Sequence, residues 1–268
     1  MICQQCLLSR RGFLKAGLVV GCSLFVPTPL LAAAGVDAEE RARRVLEFRA
    51  MLPDITRLLT PILGETMARK TAGESALRYE ALLPVLPDVG GAANRNYENL
   101  FQAAWLIAFS QSLKDRGQPP AVAGRLLYDL FEQDLAATPA QTLRQQGEAY
   151  FAEKNYTFLR EWAQQTQQRR YPDDWVARVV FGNGKDFDAG HDYSQCGAVQ
   201  LFRAHGETVV APYFCLNDFT LSRYQGTGLR RVHTIAQGDA CCDFRYAKGR
   251  EVVQSWDTET PRFAGSVC

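Results

Sequence analysis

Apolar positions recur at helical spacing along most of the first 170 residues. From Asp37 onward they return every three or four positions, which places them on one face of a helix. Asp37 and Glu40 stand at the spacing of a capping box, in which a carboxylate accepts a hydrogen bond from the first free backbone amides. Pro53 and Pro61 are expected to break or kink this first helical run.

The same spacing predicts three more helices before residue 171. The second covers residues 94–114, the third covers residues 121–136, and the fourth begins at Thr138-Pro139 and extends to about residue 170. Residues 71–93 contain several glycines and prolines and are predicted mainly as a connection around one short helix. We therefore assign residues 35–170 to a helical region.

After residue 170 the chain shows short alternating segments that are typical of strands. Strands are predicted at residues 175–181, 187–193, 229–236 and 241–247, and helices at about 194–206 and 212–224. The tail from Glu251 is predicted to be irregular. Residues 171–268 thus form an α+β region that carries the candidate site. The predicted fold class is α+β, with an N-terminal helical layer packed on a small antiparallel sheet with two site-bearing helices.

The N-terminus has the features of a removable export signal. Residues 9–15 read Ser-Arg-Arg-Gly-Phe-Leu-Lys, which matches the twin-arginine consensus, and an apolar run and Ala32-Ala33-Ala34 follow. We expect residues 1–34 to be a signal peptide that engages the twin-arginine translocase and delivers a periplasmic protein. Lipidation at Cys22 is an alternative. A membrane span is disfavoured, because two prolines interrupt the apolar run.

Charge narrows the choice of partners. The formal net charge is +1, and Arg10, Arg11 and Lys15 are the charged residues of the predicted signal, so the remaining chain is slightly negative. Phosphate binding needs a basic face, so nucleic acid is not expected as a partner.

The reactive side chains are concentrated between residues 191 and 246. This segment holds all three histidines and four of the eight cysteines. Cys215 and Asp218 are three positions apart on a predicted helix and therefore share one face. If the last strand keeps a period of two, Cys242 points to one side of the sheet, while Asp243 and Arg245 point to the other.

Three segments of this half resemble the family of L-2-amino-thiazoline-4-carboxylic acid hydrolases. They are Asp192-Tyr193-Ser194-Gln195-Cys196, Pro212-Tyr213-Phe214-Cys215-Leu216-Asn217-Asp218, and Leu229-Arg230-Arg231-Val232-His233-Thr234-Ile235 leading to Cys241-Cys242-Asp243-Phe244-Arg245. The resemblance covers about residues 175–248. It implies a hydrolase that opens a thiazoline ring at the carbon between sulfur and nitrogen.

Such a reaction needs a nucleophile, a proton acceptor and a cation for the substrate carboxylate. Cys215 and Asp218 are our candidates for the first two, and Cys196, Cys242 and His233 are further catalytic candidates. Arg231 or Arg245 would bind the carboxylate, and Asp243 or Asp218 would pair with the amidine-like end of the ring. The resulting hypothesis is an exported, cysteine-dependent hydrolase that acts on a C–N or C–S bond of a small cyclic amidine or thiazoline carboxylate without a cofactor.

Two other uses of the cysteines stay open. Cys196, Cys215 and Cys242, with His233, form a set of metal ligands, which would suit a non-catalytic envelope protein that binds a metal or cofactor. None of these three cysteines belongs to a Cys-x-x-Cys pair that would support that set. Alternatively, two of these three cysteines form a disulfide, since the envelope is oxidising. No Gly-rich phosphate loop, Gly-x-Ser-x-Gly elbow or His-Glu-x-x-His motif is present.

Overall fold

The computed structural model describes residues 36–263. The twin-arginine sequence, the expected cleavage after Ala34 and the alternative lipidation site at Cys22 lie outside the described residues.

Seven helices precede the first strand in the described part of the chain. Asp37 caps the first of them by accepting a hydrogen bond from the amide of Glu40 at 2.9 Å, which confirms half of the predicted capping box. The helices are α1 (Ala38–Ala50), α2 (Leu52–Leu63), α3 (Glu65–Leu82), α4 (Tyr97–Lys114), α5 (Pro120–Ala137), α6 (Ala140–Tyr150) and α7 (Glu153–Thr166).

Two predictions in this half were wrong. The segment predicted as a connection is helical up to Leu82, because Gly73 lies inside α3 in open space and the prolines come only after it. The predicted fourth helix is two helices, α6 and α7. The Asn155 side chain donates a hydrogen bond to the carbonyl of Tyr150 at 2.6 Å, which satisfies the end of α6 and lets the chain turn.

The four strands form one antiparallel sheet in the order β1-β2-β4-β3. Their bounds are β1 (Val176–Phe181), β2 (Ala189–Gln195), β3 (Leu229–Arg230) and β4 (Cys242–Tyr246). In the central pair, His191 lies opposite Phe244 and Tyr193 lies opposite Cys242. The sheet and the helical layer give the predicted α+β class.

The third strand is much shorter than predicted. After Arg230 the chain leaves the sheet, and the carboxylate of Asp243 accepts the backbone amides of Val232 and His233 at 2.9 and 2.6 Å. A side chain thus replaces the expected strand partner, and a 3-10 turn follows at Ile235–Gln237.

Four more helices complete the described chain: α8 (Gly197–Ala204), α9 (Ala211–Phe214), α10 (Asn217–Gln225) and α11 (Trp256–Phe263). The helix predicted over 212–224 is broken at Cys215–Leu216, where Arg231 binds the carbonyl oxygen of Cys215 at 2.8 Å. The tail predicted as irregular contains α11, because Trp256 and Phe263 pack on Tyr213.

Helix α4 is the centre of the packing. From Leu100 to Leu113 its residues are buried on all sides except at Gln111, as expected for a helix that is apolar around most of its circumference. It contacts α3, α5 and α8, and one hydrophobic cluster joins the helical half to the sheet. Between residues 36 and 263 we find no helix with the length and apolar character that a membrane crossing requires.

Candidate functional site

A cavity of about 130 Å³ lies where the start of α4 meets β2, β4 and the segment that runs from α8 to α10. Three thiols line it. Cys196 directly precedes α8, Cys215 stands at the break between α9 and α10, and Cys242 begins β4. The structure therefore brings together cysteines that are up to 46 positions apart in the sequence. All four cysteines between residues 36 and 263 are free, so the described chain holds no disulfide.

The hydroxyl of Thr234 connects two of these thiols. Cys242 donates to its oxygen at 3.7 Å, the amide of Ala236 donates to it at 3.2 Å, and the Cys215 sulfur lies 3.7 Å from it. A threonine hydroxyl has one proton and two acceptor positions. Both acceptor positions are taken, so the hydroxyl proton is directed to the sulfur of Cys215.

Burial keeps the thiols protonated. It raises the pKa of Cys196 to about 12, and it raises the pKa of Cys215 still further, although the nearby cation of Arg231 acts in the opposite direction. The pKa of Cys242 is also raised by burial. Because burial raises the pKa of Cys215, a nucleophilic thiol at this position needs a base.

Asp218 supplies a carboxylate at the cavity wall. Arg231 donates to its Oδ2 at 2.5 Å, and the same guanidinium lies between the rings of Phe219 and Phe244, 4.8 Å from each centroid. Burial raises the pKa of Asp218, and Arg231 opposes that effect. The Asp218 side chain is 42% exposed although protein surrounds it, and this surface faces the cavity that it lines. Asp218 is therefore placed to exchange a proton with a bound ligand.

Several buried polar atoms of the cavity wall lack a partner among residues 36–263. They are both amide atoms of Asn217, Nδ2 of Asn96, Nδ1 of His191, Nη1 of Arg95 and the hydroxyl of Tyr150. Burial and the nearby arginines lower the pKa of His191 well below its usual value, so its imidazole is neutral. Buried polar groups normally have hydrogen-bond partners. Their concentration here indicates a site that is built for a polar ligand.

Three of the predicted site residues lie outside the cavity wall. His233 is exposed, and its Nδ1 is 3.5 Å from Asp239. Asp243 holds the loop after β3, and Arg245 binds the carboxylate of Asp192 at 2.7 Å. Asp243 and Arg245 lie outside the wall because side chains alternate along β4, as predicted. Cys242 and Phe244 face the cavity, so Asp243 and Arg245 face away from it.

Sequence reasoning missed Arg95, Asn96, His191, Asn217 and Thr234. Arg95 had the clearest signal, because a cation just before the N-terminus of a helix opposes the helix dipole and needs another reason to be there. Asn217 stands between Cys215 and Asp218 in one of the segments that carry the resemblance. Thr234 and His191 become informative only once their neighbours are known.

The metal alternative is not favoured by this arrangement. Within the described chain, no group of three or more histidine, cysteine, aspartate and glutamate side chains is placed to hold a metal ion. Cys196, Cys215 and Cys242 share the cavity without forming such a group, and His233 is not in its wall.

Comparison with known proteins adds one match. The sequence model of the L-2-amino-thiazoline-4-carboxylic acid hydrolase family matches residues 96–246, which is more than half of the chain. The matched range runs from the start of α4 to the end of β4 and includes every cavity residue discussed above except Arg95. No curated protein and no solved structure matches the chain.

Proposed function

Because the chain belongs to the L-2-amino-thiazoline-4-carboxylic acid hydrolase family, we propose that it opens a small cyclic amidine or thiazoline carboxylic acid by hydrolysing a C–N or C–S bond. Family membership makes it a hydrolase of that family. The observation that carries the finer proposal is the meeting of Cys215, Asp218 and Arg231 with unpartnered amides in one cavity inside the matched range.

The size of the cavity supports a one-ring substrate. A cavity of about 150 Å³ holds a single benzene ring, and this one measures about 130 Å³. A single five-membered ring with small substituents is therefore the appropriate class. Larger ligands would require the wall to move.

The proposed reaction begins with attack by Cys215. Its thiol proton passes to Asp218 while the sulfur bonds to the ring carbon between sulfur and nitrogen. The ring C–S or C–N bond then breaks, and Asp218 returns the proton to the leaving atom. Water adds to the enzyme-bound carbon, and Asp218 passes one of its protons to the sulfur of Cys215 as that carbon–sulfur bond breaks. The ring-opened acid leaves with the net addition of one water molecule.

Cys215 is favoured over the other two thiols by its hydrogen bonds. It receives the proton of Thr234, whereas Cys242 donates to that same hydroxyl and accepts only the amide of Ile235, at 3.3 Å. A sulfur that accepts a hydrogen bond is better stabilised when it carries negative charge. Cys196 and Cys242 then shape the pocket beside the nucleophile.

The proposal is tested by mass spectrometry of the reaction mixture. Protein incubated with L-2-amino-thiazoline-4-carboxylic acid is expected to convert it to a product heavier by one water molecule, and heat-denatured protein is expected to leave it unchanged. If neither this acid nor related cyclic amidine acids are consumed, the proposed activity is wrong.

We also propose that the reaction uses side chains alone and needs no metal ion. Treatment of the purified protein with a chelator followed by dialysis should then leave turnover unchanged. Loss of turnover that a stoichiometric metal ion restores would contradict this part of the proposal.

The proposed location is the periplasm, reached through the twin-arginine translocase. It is supported by the paired Arg10-Arg11 in the consensus sequence and the Ala32-Ala33-Ala34 cleavage pattern. A reporter protein fused after residue 34 should reach the periplasm of a bacterial host, and replacement of both arginines by lysine should keep it in the cytoplasm. Export that does not change in the lysine variant would exclude this route.

A further inference from the structure

The cavity wall carries one positive charge that no carboxylate among residues 36–263 balances. Its charged side chains are Arg95, Arg231 and Asp218. Arg231 and Asp218 form an ion pair and offset each other. Arg95 has no carboxylate within hydrogen-bonding distance in the described chain, and its Nη1 is buried without a hydrogen-bond partner. Because a counter-charge would satisfy this buried cationic donor, the wall is set up to receive one anion.

From this imbalance we propose that Arg95 binds the carboxylate of the ligand, a role that sequence reasoning gave to Arg231 or Arg245. The inference rests on the proposed function, since it concerns the same cavity. Arg231 is already engaged by Asp218 and by the carbonyl oxygen of Cys215, and Arg245 is engaged by Asp192 outside the cavity. Arg95 is therefore the guanidinium of the cavity wall that has a free face for a ligand.

The surroundings of Arg95 hold it in place, and its Nη1 has no hydrogen-bond partner in the described chain. The guanidinium carbon stands 5.1 Å from the ring centroid of Trp162. Burial lowers the pKa of His191 and the charge of Arg95 adds to that effect, whereas burial raises the pKa of Tyr150 and Arg95 opposes it. Aromatic and neutral neighbours of this kind support a cation without neutralising it. Its planar fork suits two oxygen atoms of one carboxylate.

Asn96 provides a second donor next to Arg95. Its Oδ1 accepts a hydrogen bond from the hydroxyl of Tyr193 at 3.3 Å, which orients the amide so that Nδ2 is the atom left without a partner. Asn96 is 2% exposed, lines the cavity and is the N-cap residue of α4. A carboxylate held by Arg95 would also satisfy this buried donor and meet the favourable end of the helix dipole.

The ligand class follows from this balance of charge. A single carboxylate neutralises Arg95, and the remaining part of the ligand meets Asp218 and the Asn217 amide. The cavity therefore selects a small ring with one carboxylate and a polar nitrogen-containing end. A neutral ring of the same shape would leave Arg95 unpaired and should bind more weakly.

The test compares two ligands that differ only in the carboxylate. Isothermal titration of the full-length protein with 2-aminothiazole-4-carboxylate and with 2-aminothiazole should show at least about tenfold tighter binding of the acid, the size expected for a charged hydrogen-bonded pair. Arg95→Met should remove that preference. Arg170→Met is the matched control, since Arg170 is exposed and outside the cavity wall, and it should keep the preference.

A folded Arg95→Met variant that still prefers the acid overturns the proposal. Equal binding of both ligands to the unaltered protein also overturns it, and this result does not depend on any variant folding. Arg95→Lys keeps the charge but loses the fork, so it should retain part of the preference. These ligands are aromatic and are bound without turnover, so a preference that depends on Arg95 can be established even if the ring-opening activity is refuted.

Discussion

At the scale of single residues, the site depends on which hydrogen-bond positions are already taken. The hydroxyl of Thr234 has both acceptor positions occupied and can only donate to Cys215, and Arg231 is committed to Asp218. Arg95 and Asn217 matter for the opposite reason, because they have atoms with no partner in the described chain. The chemical role of each of these side chains therefore depends on which of its hydrogen-bond positions the neighbouring residues occupy.

Replacement of Thr234 by valine should weaken Cys215 as a nucleophile. The variant removes one hydrogen bond to the sulfur while it keeps the shape of the side chain. A neutral hydrogen bond of about 1 kcal/mol corresponds to a roughly fivefold loss of kcat/KM. The pH at which Cys215 becomes reactive toward iodoacetamide should also rise. Thr234→Ser should restore both values, and a valine variant with unchanged kcat/KM and alkylation profile would refute this role.

Asp218 should set the acidic limb of the pH–rate profile. It must be ionised to accept the thiol proton, and burial raises its pKa above the ordinary value of 3.8. As pH falls, kcat/KM should therefore decline through a pH higher than that of an exposed aspartate. Asp218→Asn should abolish turnover at every pH. If the midpoint of this decline in kcat/KM lies at or below pH 3.8, or if the asparagine variant is active, Asp218 is excluded as the proton acceptor.

Residue types alone identified the cysteines, Asp218 and Arg231, because thiols, acids and guanidinium groups are recognisable in any sequence. Residue types did not identify Arg95 or Thr234, whose importance arises from tertiary neighbours such as Trp162 beside Arg95 and Cys215 beside Thr234. Residue types also placed Arg245 and Asp243 in the site. In the structure Arg245 stabilises the sheet through Asp192, and Asp243 stabilises the loop after β3.

At the scale of elements, the site depends on where α10 lies. This helix carries Asn217 and Asp218, and its C-terminal end packs on α6. The contact is closest at Gly147 of α6, where a Cβ atom would stand 2.0 Å from the carbonyl oxygen of Gln225. That oxygen belongs to the backbone, so an added methyl group must push the two helices apart.

The variant Gly147→Ala should therefore lower both stability and activity. We expect a loss of about 1–3 kcal/mol in the free energy of unfolding, as for other overpacked sites, and a fall in kcat/KM because Asp218 moves with α10. Gly73→Ala is the matched control, since a Cβ at Gly73 of α3 meets nothing within 4 Å. It should gain up to about 1 kcal/mol from helix propensity. Denaturant unfolding that gives equal stabilities for the two variants would contradict this packing.

The bounds of helices and strands were predicted well where the apolar periodicity extends over many residues. They were predicted poorly where a side chain takes the place of a backbone hydrogen-bond partner. Apolar spacing indicated α4 and α5 to within a few residues. It failed at β3, where Asp243 takes the place of a strand partner, and at the α6–α7 turn, where Asn155 caps the preceding helix. A side chain that replaces a backbone hydrogen-bond partner leaves no periodic signal in the sequence.

At the scale of the whole molecule, the helical layer and the sheet share one core that encloses ionisable thiols. Burial raises the pKa of Cys196 to about 12 in the folded protein, whereas an exposed cysteine has a pKa near 9.0. Above pH 9 the unfolded chain therefore binds fewer protons than the folded chain. Stability that is fully present below pH 9 must then decrease as pH rises toward 12.

The free energy of unfolding should fall by up to about 1.4 kcal/mol per pH unit for this thiol across that range. Cys196→Ser removes the titrating group and should make the decline shallower, whatever its effect on stability at pH 8. Urea unfolding of both proteins at pH 8, 9 and 10 measures the two slopes. Identical slopes would mean that Cys196 is not kept protonated by the fold.

The kinetic comparison of Cys215→Ser with Cys241→Ser on the thiazoline acid tests directly whether Cys215 is the nucleophile. Cys241 lies on the other side of the sheet, outside the cavity wall, and serves as the matched cysteine control. We predict that the Cys215 variant folds and still binds 2-aminothiazole-4-carboxylate but has no measurable turnover, and that the Cys241 variant keeps the kcat/KM of the unaltered protein. A Cys215→Ser protein with full kcat/KM would contradict the account.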